Sequence, residues 1–403
     1  MKTPFSTGAP AFDAAAIHTT IQRALASAGL DTTTGPMQGV TETIRRALAA
    51  GGLGAPAPMH DDGSVIDVAA RVVPDGKAKD AIDAAAAPDR PPHVRDAPQR
   101  HSRFDTHQFT AEAGSRSYKV YVPAGKPASP RAMVLMLHGC TQSADDFAAG
   151  TRMNQLADEH GFLVVYPEQA AHANTSKCWN WFKPQDQGRG AGEPALIAGI
   201  VREVAREHGA DARRIFVAGL SAGAAMAVVL GETYPDLFAG VGAHSGLPYG
   251  SAHDVPSALA AMKGGRSGMP GLKGVPGAAG PPHRQTVQAV RLIVFHGDRD
   301  HTVQQTNVAH IVQQALEAHG ARPGATPLHA RTESGVTADG QRFSRTVHAD
   351  TDGQARIESW TLHGAGHAWS GGDASGSYTD SAGPNASAEM VRFFLALPRT
   401  GPA

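Results

Sequence analysis

This chain of 403 residues has only two cysteines, a net charge close to zero and no long apolar segment. Its two cysteines, Cys140 and Cys178, do not have the spacing of a metal site. The formal net charge of −1 gives no reason to expect a nucleic-acid partner. No apolar segment approaches the roughly 18 residues that mark a membrane-spanning helix. We therefore predict no metal site, no nucleic-acid interface and no membrane span.

The chain has instead a repeat near its N-terminus. Residues 20–30 match residues 43–53 at eight of 11 positions, with a period of 23 residues. Each copy has apolar residues at positions i, i+4 and i+8, the spacing of one helix face. We predict two short amphipathic helices within residues 1–55 and a disordered linker over residues 56–103. Because such short helices are marginal alone, they need a surface to pack on.

Residues 104–398 alternate between apolar, strand-like runs and helix-like segments. The runs 133–137, 161–166, 215–218 and 291–295 are nearly continuous in apolar residues, which is typical of strands buried on both faces. This alternation predicts an α/β domain with a mostly parallel sheet and helices on both faces.

One segment interrupts the alternation. Residues 263–282 contain seven glycines and four prolines, and such a composition cannot bury enough apolar surface to order itself. We predict a flexible insertion there, either a flap over a site or a tolerated surface loop.

The pentapeptide GLSAG at 219–223 lies between a predicted strand and a predicted helix. Strand, G-x-S-x-G and helix together are the pattern of the nucleophile elbow of α/β-hydrolases. The turn is too tight for side chains at the flanking positions, so glycines occupy them. This context predicts the α/β-hydrolase fold, with Ser221 exposed at the C-terminal edge of the sheet.

A serine becomes a strong nucleophile only with a base and an orienting acid, which follow it in this fold in the order Asp or Glu, then His. Asp298 and Asp300 both follow the strand 291–295. The pattern H-G-x-x-D-x-x-V, usual for this loop in such hydrolases, favours Asp300, and we expect Asp298 to hydrogen-bond within the turn. His367 is the candidate base, because glycines before it let its loop curl toward Ser221. We interpret the neighbouring histidines as solvated or hydrogen-bonded side chains: His296, His301 and His363.

An oxyanion hole is predicted after the strand 133–137, which ends in His-Gly. Hydrolases of this fold place one backbone donor there and a second on the residue after the nucleophile. We predict the N–H groups of Cys140 and Ala222 as the donors, each contributing about 3–4 kcal/mol. Cys140 and Cys178 both flank this site, so a disulfide between them is one option. Free thiols, the default in a cytosolic chain, are the other.

Six motifs occur in one order along the chain: HGCTQ at 138–142, CWNWF at 178–182, GLSAG at 219–223, HSGLPY at 244–249, GAGHAWSGG at 364–372 and GSYTD at 376–380. In these motifs the chain resembles the PHB depolymerase family of esterases over residues 104–397. The resemblance implies Ser221, Asp300 and His367 as the catalytic triad, no cofactor, and a polyhydroxyalkanoate substrate. It also implies relatives that act on feruloyl and acetyl esters of polysaccharides.

Three of the chain's four tryptophans fall in these motifs: Trp179, Trp181 and Trp369. Their flat apolar rings suit a methyl-substituted polyester, so we predict substrate contacts, with core packing as the alternative.

These observations predict a serine esterase that hydrolyses poly(3-hydroxybutyrate) or its oligomers. One alternative is a carboxylesterase for small or carbohydrate-linked esters. Another is a granule-associated protein that binds through the N-terminal repeat. Because Met1–Phe5 is not followed by the apolar core of a signal peptide, we expect a cytoplasmic protein that can associate with polymer granules. A secreted protein is the alternative.

Overall fold

The structure is a computed structural model, and it describes residues 101–125, 130–265 and 290–396. The predicted helices of residues 1–55 lie outside the described residues. So do most of the predicted linker and all but the first three residues of the predicted insertion 263–282.

Ten strands form one sheet within the described residues, in the order β1-β2-β4-β3-β5-β6-β7-β10-β9-β8. Six central neighbours, from β4 across to β10, pair in parallel, and the pairs beyond them on both sides are antiparallel. The strands are β1 (Arg103–Ala111), β2 (Gly114–Val122), β3 (Met133–Leu137), β4 (Leu163–Pro167), β5 (Ile215–Leu220), β6 (Gly240–His244), β7 (Arg291–Gly297), β8 (His329–Val336), β9 (Arg342–Ala349) and β10 (Ala355–Leu362).

Helices cover both faces of this sheet, as predicted. They are α1 (Ala144–Thr151), α2 (Met153–His160), α3 (Gly192–His208), α4 (Ala222–Thr233), α5 (Val255–Met262), α6 (Thr306–Gly320) and α7 (Ala386–Leu395), with a 3₁₀ helix at Pro184–Asp186. A separate two-stranded ribbon joins β11 (Trp369–Ser370) to β12 (Thr379–Asp380) in parallel. No helix in the described ranges is long and apolar enough to cross a membrane.

The core has two layers, one on each face of the sheet. Successive side chains of β3 enter them alternately: Met133 and Leu135 pack with α3, α4 and α6, whereas Val134 and Met136 pack with α1, α2 and α7. Because side chains of a strand point alternately to opposite faces, a strand covered on both sides must be apolar throughout. This explains why the central parallel strands read as continuous apolar runs.

The carboxyl ends of the parallel strands meet at one edge of the sheet. The segments that follow these ends are the HGCTQ motif after β3, Ser221 after β5, Ser245 after β6, the Asp298–Asp300 loop after β7 and the GAGH loop after β10. In open α/β sheets, ligands bind at this edge. The fold therefore brings the predicted site residues to the same end of the domain.

Candidate active site

Ser221 lies in a sharp turn between β5 and α4. Its backbone has φ 57° and ψ −118°, a region that non-glycine residues rarely occupy and that costs about 1–3 kcal/mol. Its N–H donates to the carbonyl oxygen of His244 at 2.9 Å. A Cβ atom on Gly223 would lie 2.1 Å from the carbonyl oxygen of Leu137, and one on Gly219 would lie 2.5 Å from the carbonyl carbon of Gly223. Both glycines are therefore required by close backbone packing, and the turn has the backbone geometry that the nucleophile-elbow pattern predicts.

Asp300 pairs with His367. The Asp300 Oδ2 atom lies 2.6 Å from His367 Nδ1, and Oδ1 accepts the N–H groups of Thr302 and Val303 at 2.9 and 2.8 Å. Burial raises the pKa of Asp300, but the hydrogen bond and charge of His367 and the Val303 N–H outweigh it and lower the pKa to about 2. Asp300 is therefore a carboxylate that accepts the Nδ1 proton, which leaves His367 Nε2 free to accept a proton.

Asp298 pairs with a different histidine. Its Oδ2 atom lies 3.0 Å from His363 Nδ1, and its Oδ1 atom accepts the N–H of Gly364 at 2.6 Å. On the other side of the ring, His363 Nε2 lies 2.8 Å from the hydroxyl oxygen of Ser344. Asp298 thus bonds to the start of the GAGH loop and not within its own turn, and the structure leaves Asp300 as the acid beside His367.

The other two neighbouring histidines, His296 and His301, are hydrogen-bonded or solvated side chains as interpreted from the sequence, although His296 Nε2 also lies 3.5 Å from Asp300 Oδ2. His296 is fully buried, and its Nε2 donates to the carbonyl oxygen of Val303 at 2.8 Å. His301 is exposed, and its carbonyl oxygen accepts from Lys263. Among the described residues, the Ser221 hydroxyl has no hydrogen bond. Catalytic hydrogen bonds often tighten only when substrate is bound.

The loop that contains Cys140 is held from two sides. Cys140 and Cys178 form a disulfide, and the Thr141 N–H donates to the Ser176 carbonyl at 2.7 Å. On the other side, the Gly139 N–H donates to Gln142 Oε1 at 2.9 Å. These contacts fix the backbone around Cys140.

The second predicted donor, Ala222, is the first residue of α4, and Ser221 gives no side-chain cap there. The first N–H groups of a helix have no intrahelical acceptor. The Ala222 amide therefore has no acceptor within α4.

Comparison with known proteins places this site in a family. The model of the family described as esterase PHB depolymerase matches residues 116–333, more than half of the chain. The chain belongs to this family. The match includes Ser221 and Asp300 and ends before His367.

Two relatives are similar to this chain in sequence, and one solved structure is similar to it in fold. Poly(3-hydroxyalkanoate) depolymerase C from Paucimonas lemoignei is 35% identical over 259 residues, which are 64% of this chain and 60% of the relative. Feruloyl esterase B from Neurospora crassa is 29% identical over 262 residues, 61% of this chain and 81% of the relative. An acetyl xylan esterase from Aspergillus awamori shares the fold, with a TM-score of 0.54 and 20% identity over 72% of this chain and 98% of that chain.

These matches confirm the predicted family resemblance and the predicted α/β-hydrolase fold. The predicted enzyme class, an ester hydrolase, agrees with the family and with the names of both relatives. The chain spans about 60% of the length of depolymerase C.

The tryptophan prediction needs correction. Trp179 and Trp369 are 0% and 1% exposed, and Trp181 keeps 6%. The indole N–H of Trp179 donates to the His138 carbonyl at 3.1 Å, and that of Trp369 donates to the Ser387 hydroxyl at 3.0 Å. Both rings therefore support the loops around the site from inside, and core packing, the alternative, describes them.

Two buried histidines and one glutamine belong to the site but have no predicted role. His138 donates from Nδ1 to the Gly139 carbonyl at 2.7 Å and accepts at Nε2 from the Gln169 N–H at 3.0 Å. His244 accepts at Nε2 from the Ser370 N–H at 3.1 Å, and burial lowers its pKa to about 3. Each ring is neutral and joins two loops of the site.

Gln142 couples the Cys140 loop to the GSYTD motif. Its Oε1 accepts from Gly139, and its Nε2 donates to Asp146 Oδ2 at 2.8 Å and to the Ser377 carbonyl at 3.0 Å. Gln142 and His138 lie in the HGCTQ motif and His244 lies in the HSGLPY motif, and this position is the sequence signal that could have marked them as site residues. Among the described residues, no group of three or more His, Cys, Asp or Glu side chains is placed to hold a metal ion.

Proposed function

We propose that this protein is a serine esterase that hydrolyses short-chain polyhydroxyalkanoate, poly(3-hydroxybutyrate) or its oligomers, through Ser221, His367 and Asp300. The observation that carries the proposal is the partly buried Asp300–His367 hydrogen bond at the edge of the sheet where the Ser221 turn lies. The family match and depolymerase C support the choice of ester.

The reaction has two steps. His367 Nε2 takes the Ser221 proton as the Ser221 oxygen attacks the ester carbonyl, and Asp300 stabilises the imidazolium. The Cys140 and Ala222 N–H groups stabilise the oxyanion. The tetrahedral intermediate collapses, the alcohol leaves with the proton from His367, and an acyl-enzyme remains. Water, deprotonated by His367, then attacks the acyl-enzyme and releases the 3-hydroxy acid or shortened oligomer.

The test compares three proteins on amorphous poly(3-hydroxybutyrate) granules, with released 3-hydroxybutyrate as the readout. Wild type and Ser344→Ala should release product, and Ser221→Ala should release none while its circular dichroism is unchanged. Ser344→Ala is the matched control, because Ser344 also contacts an Asp-paired histidine. Product release that persists in Ser221→Ala would remove the mechanism.

A second candidate is a carboxylesterase for carbohydrate-linked esters. The observation in its favour is the match to feruloyl esterase B, which extends over 81% of that relative. Ser221-dependent release of ferulate or acetate, without release of 3-hydroxybutyrate, would select this function over the first.

The third candidate is granule binding through the repeat in residues 1–55. If the repeat is a granule anchor, removing residues 1–55 abolishes co-sedimentation with granules, whereas Ser221→Ala leaves it unchanged. Co-sedimentation of the shortened protein would exclude this role.

For location, the Cys140–Cys178 disulfide supports the secreted alternative over the cytoplasmic one, because disulfides persist mainly in oxidising compartments. Fractionation combined with alkylation of free thiols tests this. A cytoplasmic protein with two reactive thiols would contradict the secreted location.

A further inference from the structure

Tyr378 is an exposed aromatic side chain in a domain whose other described large rings are buried or half-buried. It is 47% exposed. Among the Phe, Tyr and Trp side chains that the structure describes, it alone is exposed, and the others are buried or half-buried. Exposed aromatic groups on a fixed backbone are the side chains that proteins commonly use to contact apolar ligands. The three site tryptophans are buried, and the rings of Phe182 and Tyr249 in the neighbouring motifs are half-buried, so Tyr378 is the most open of these rings to a substrate.

Tyr378 connects the two loops that flank the proposed reaction centre. Its carbonyl oxygen accepts the N–H of Trp369, two residues beyond His367, at 2.7 Å. Its hydroxyl oxygen lies 3.2 Å from the Thr141 hydroxyl, one residue beyond the proposed oxyanion donor Cys140. The Tyr378 backbone therefore contacts the base loop, and its side chain contacts the oxyanion loop.

This position is held rigidly by the residue before it. The Ser377 N–H and hydroxyl donate to Asp146 at 2.8 and 2.6 Å, and Gln142 donates to the Ser377 carbonyl at 3.0 Å. Tyr378 and Thr141 both have left-handed backbones, with φ of 53° and 67°. For a bulky or β-branched residue this conformation is unfavourable, and such outliers concentrate at functional sites.

We infer that Tyr378, oriented by Thr141, contacts the apolar part of the ester substrate and sets the preference for long over short esters. The inference rests on the proposed serine-esterase function. The ring offers an apolar face without a charge, which fits an uncharged acyl or oligoester chain. The Thr141 hydroxyl fixes the phenol so that less conformational freedom is lost on binding.

The test is a set of Ser221-dependent kinetics on p-nitrophenyl acetate and on the longest p-nitrophenyl ester or 3-hydroxybutyrate oligomer that wild type cleaves. Tyr378→Ala should raise KM for the long ester about tenfold, as expected for about 1.4 kcal/mol of lost contact. The ratio of kcat/KM for the long ester to that for acetate should fall at least about fivefold. Tyr378→Phe keeps the ring and should lie close to wild type, with a smaller rise in KM.

Val336→Ala is the control, because it removes an exposed apolar side chain from the edge strand β8. Thr141→Val removes the hydroxyl contact and should add little to Tyr378→Phe if the two hydroxyls act together. An unchanged ratio in Tyr378→Ala, or an equal loss of kcat on both esters, would overturn the inference. Activity that does not depend on Ser221 would instead overturn the proposed function.

Discussion

Two Asp–His pairs lie side by side in this domain and differ in their surroundings. Asp300 and His367 are 0% and 14% exposed at their side chains, with 2.6 Å between Oδ2 and Nδ1. Asp298 and His363 are 31% and 35% exposed, with 3.0 Å between the same atoms. By hydrogen bonds alone the exposed pair looks more complete, because its histidine contacts a serine, Ser344, at 2.8 Å.

The two serines differ in how many backbone N–H groups beside them are free to bind an oxyanion. Ser344 lies inside β9, where it pairs with Ser334 on β8 and Thr361 on β10. A strand paired on both sides has its amides committed to the sheet, so an oxyanion beside Ser344 would find few free N–H groups. Ser221 lies in a turn that begins a helix and therefore has a free amide next to it. A hydrogen-bonded Ser–His–Asp arrangement is thus insufficient without donors for the developing charge.

The largest expected difference between the pairs is in turnover. Asp300→Asn should lower kcat about 10⁴-fold, because an amide cannot hold the imidazole in the required tautomer or stabilise its charged form. Asp298→Asn should lower kcat less than about tenfold, since it acts only on the start of the GAGH loop. Steady-state kinetics on p-nitrophenyl acetate measures both, and the reverse order would assign the acid to Asp298.

Only part of this comparison could be predicted from the sequence. The parallel strands β3, β4 and β5 were predictable because each is buried along its whole length and is apolar throughout. β8 has the sequence HARTESGV and is exposed along nearly its whole length, so it has no apolar pattern to detect. The H-G-x-x-D-x-x-V pattern favoured Asp300 over Asp298, but only the fold shows that Asp300 reaches His367 and that Asp298 reaches His363.

The three site tryptophans and Tyr378 show a second limit: a motif does not say whether a ring in it is buried or exposed. All of them lie in motifs near the site, but sequence distance does not say which face of a loop a ring occupies. Trp369 points into the core, whereas Tyr378, nine residues later, is exposed. The motif gives the neighbourhood of a side chain, and only packing gives its direction.

The second expected effect concerns the Cys140 loop beside Ser221. A disulfide holds this loop, whereas Ser344 is held by strand pairing. Replacing both Cys140 and Cys178 with Ser should lower the free energy of unfolding by about 2–4 kcal/mol and lower kcat, because the Cys140 amide loses one of its supports. Denaturant unfolding and steady-state kinetics test this. Reductant should reproduce both effects in wild type and have none on the double variant. Equal sensitivity of the two proteins to reductant would refute the disulfide's role.

The third expected effect is on the free energy of unfolding at acid pH, through the carboxylate of Asp300. The pKa of Asp300 is lowered from 3.8 to about 2 in the folded protein, so the folded state holds the carboxylate more strongly than the unfolded chain. Its contribution, about 2 kcal/mol, is complete above about pH 4 and is lost as the pH falls toward 2. Asp300→Asn should remove this part of the pH dependence of the unfolding free energy. Identical acid profiles of wild type and Asp300→Asn would contradict it.

The smallest effect is expected from the exposed pair itself. His363→Gln removes the imidazole between Asp298 and Ser344 but keeps an amide that can donate to Asp298. Exposed ion pairs contribute about 0–1 kcal/mol, and the Gly364 N–H still binds Asp298, so the unfolding free energy should fall by less than about 1 kcal/mol. Turnover should stay within about threefold of wild type. A loss of turnover near that of Asp300→Asn would mean that the exposed pair controls the His367 loop, and the distinction between a catalytic and a surface pair would no longer hold.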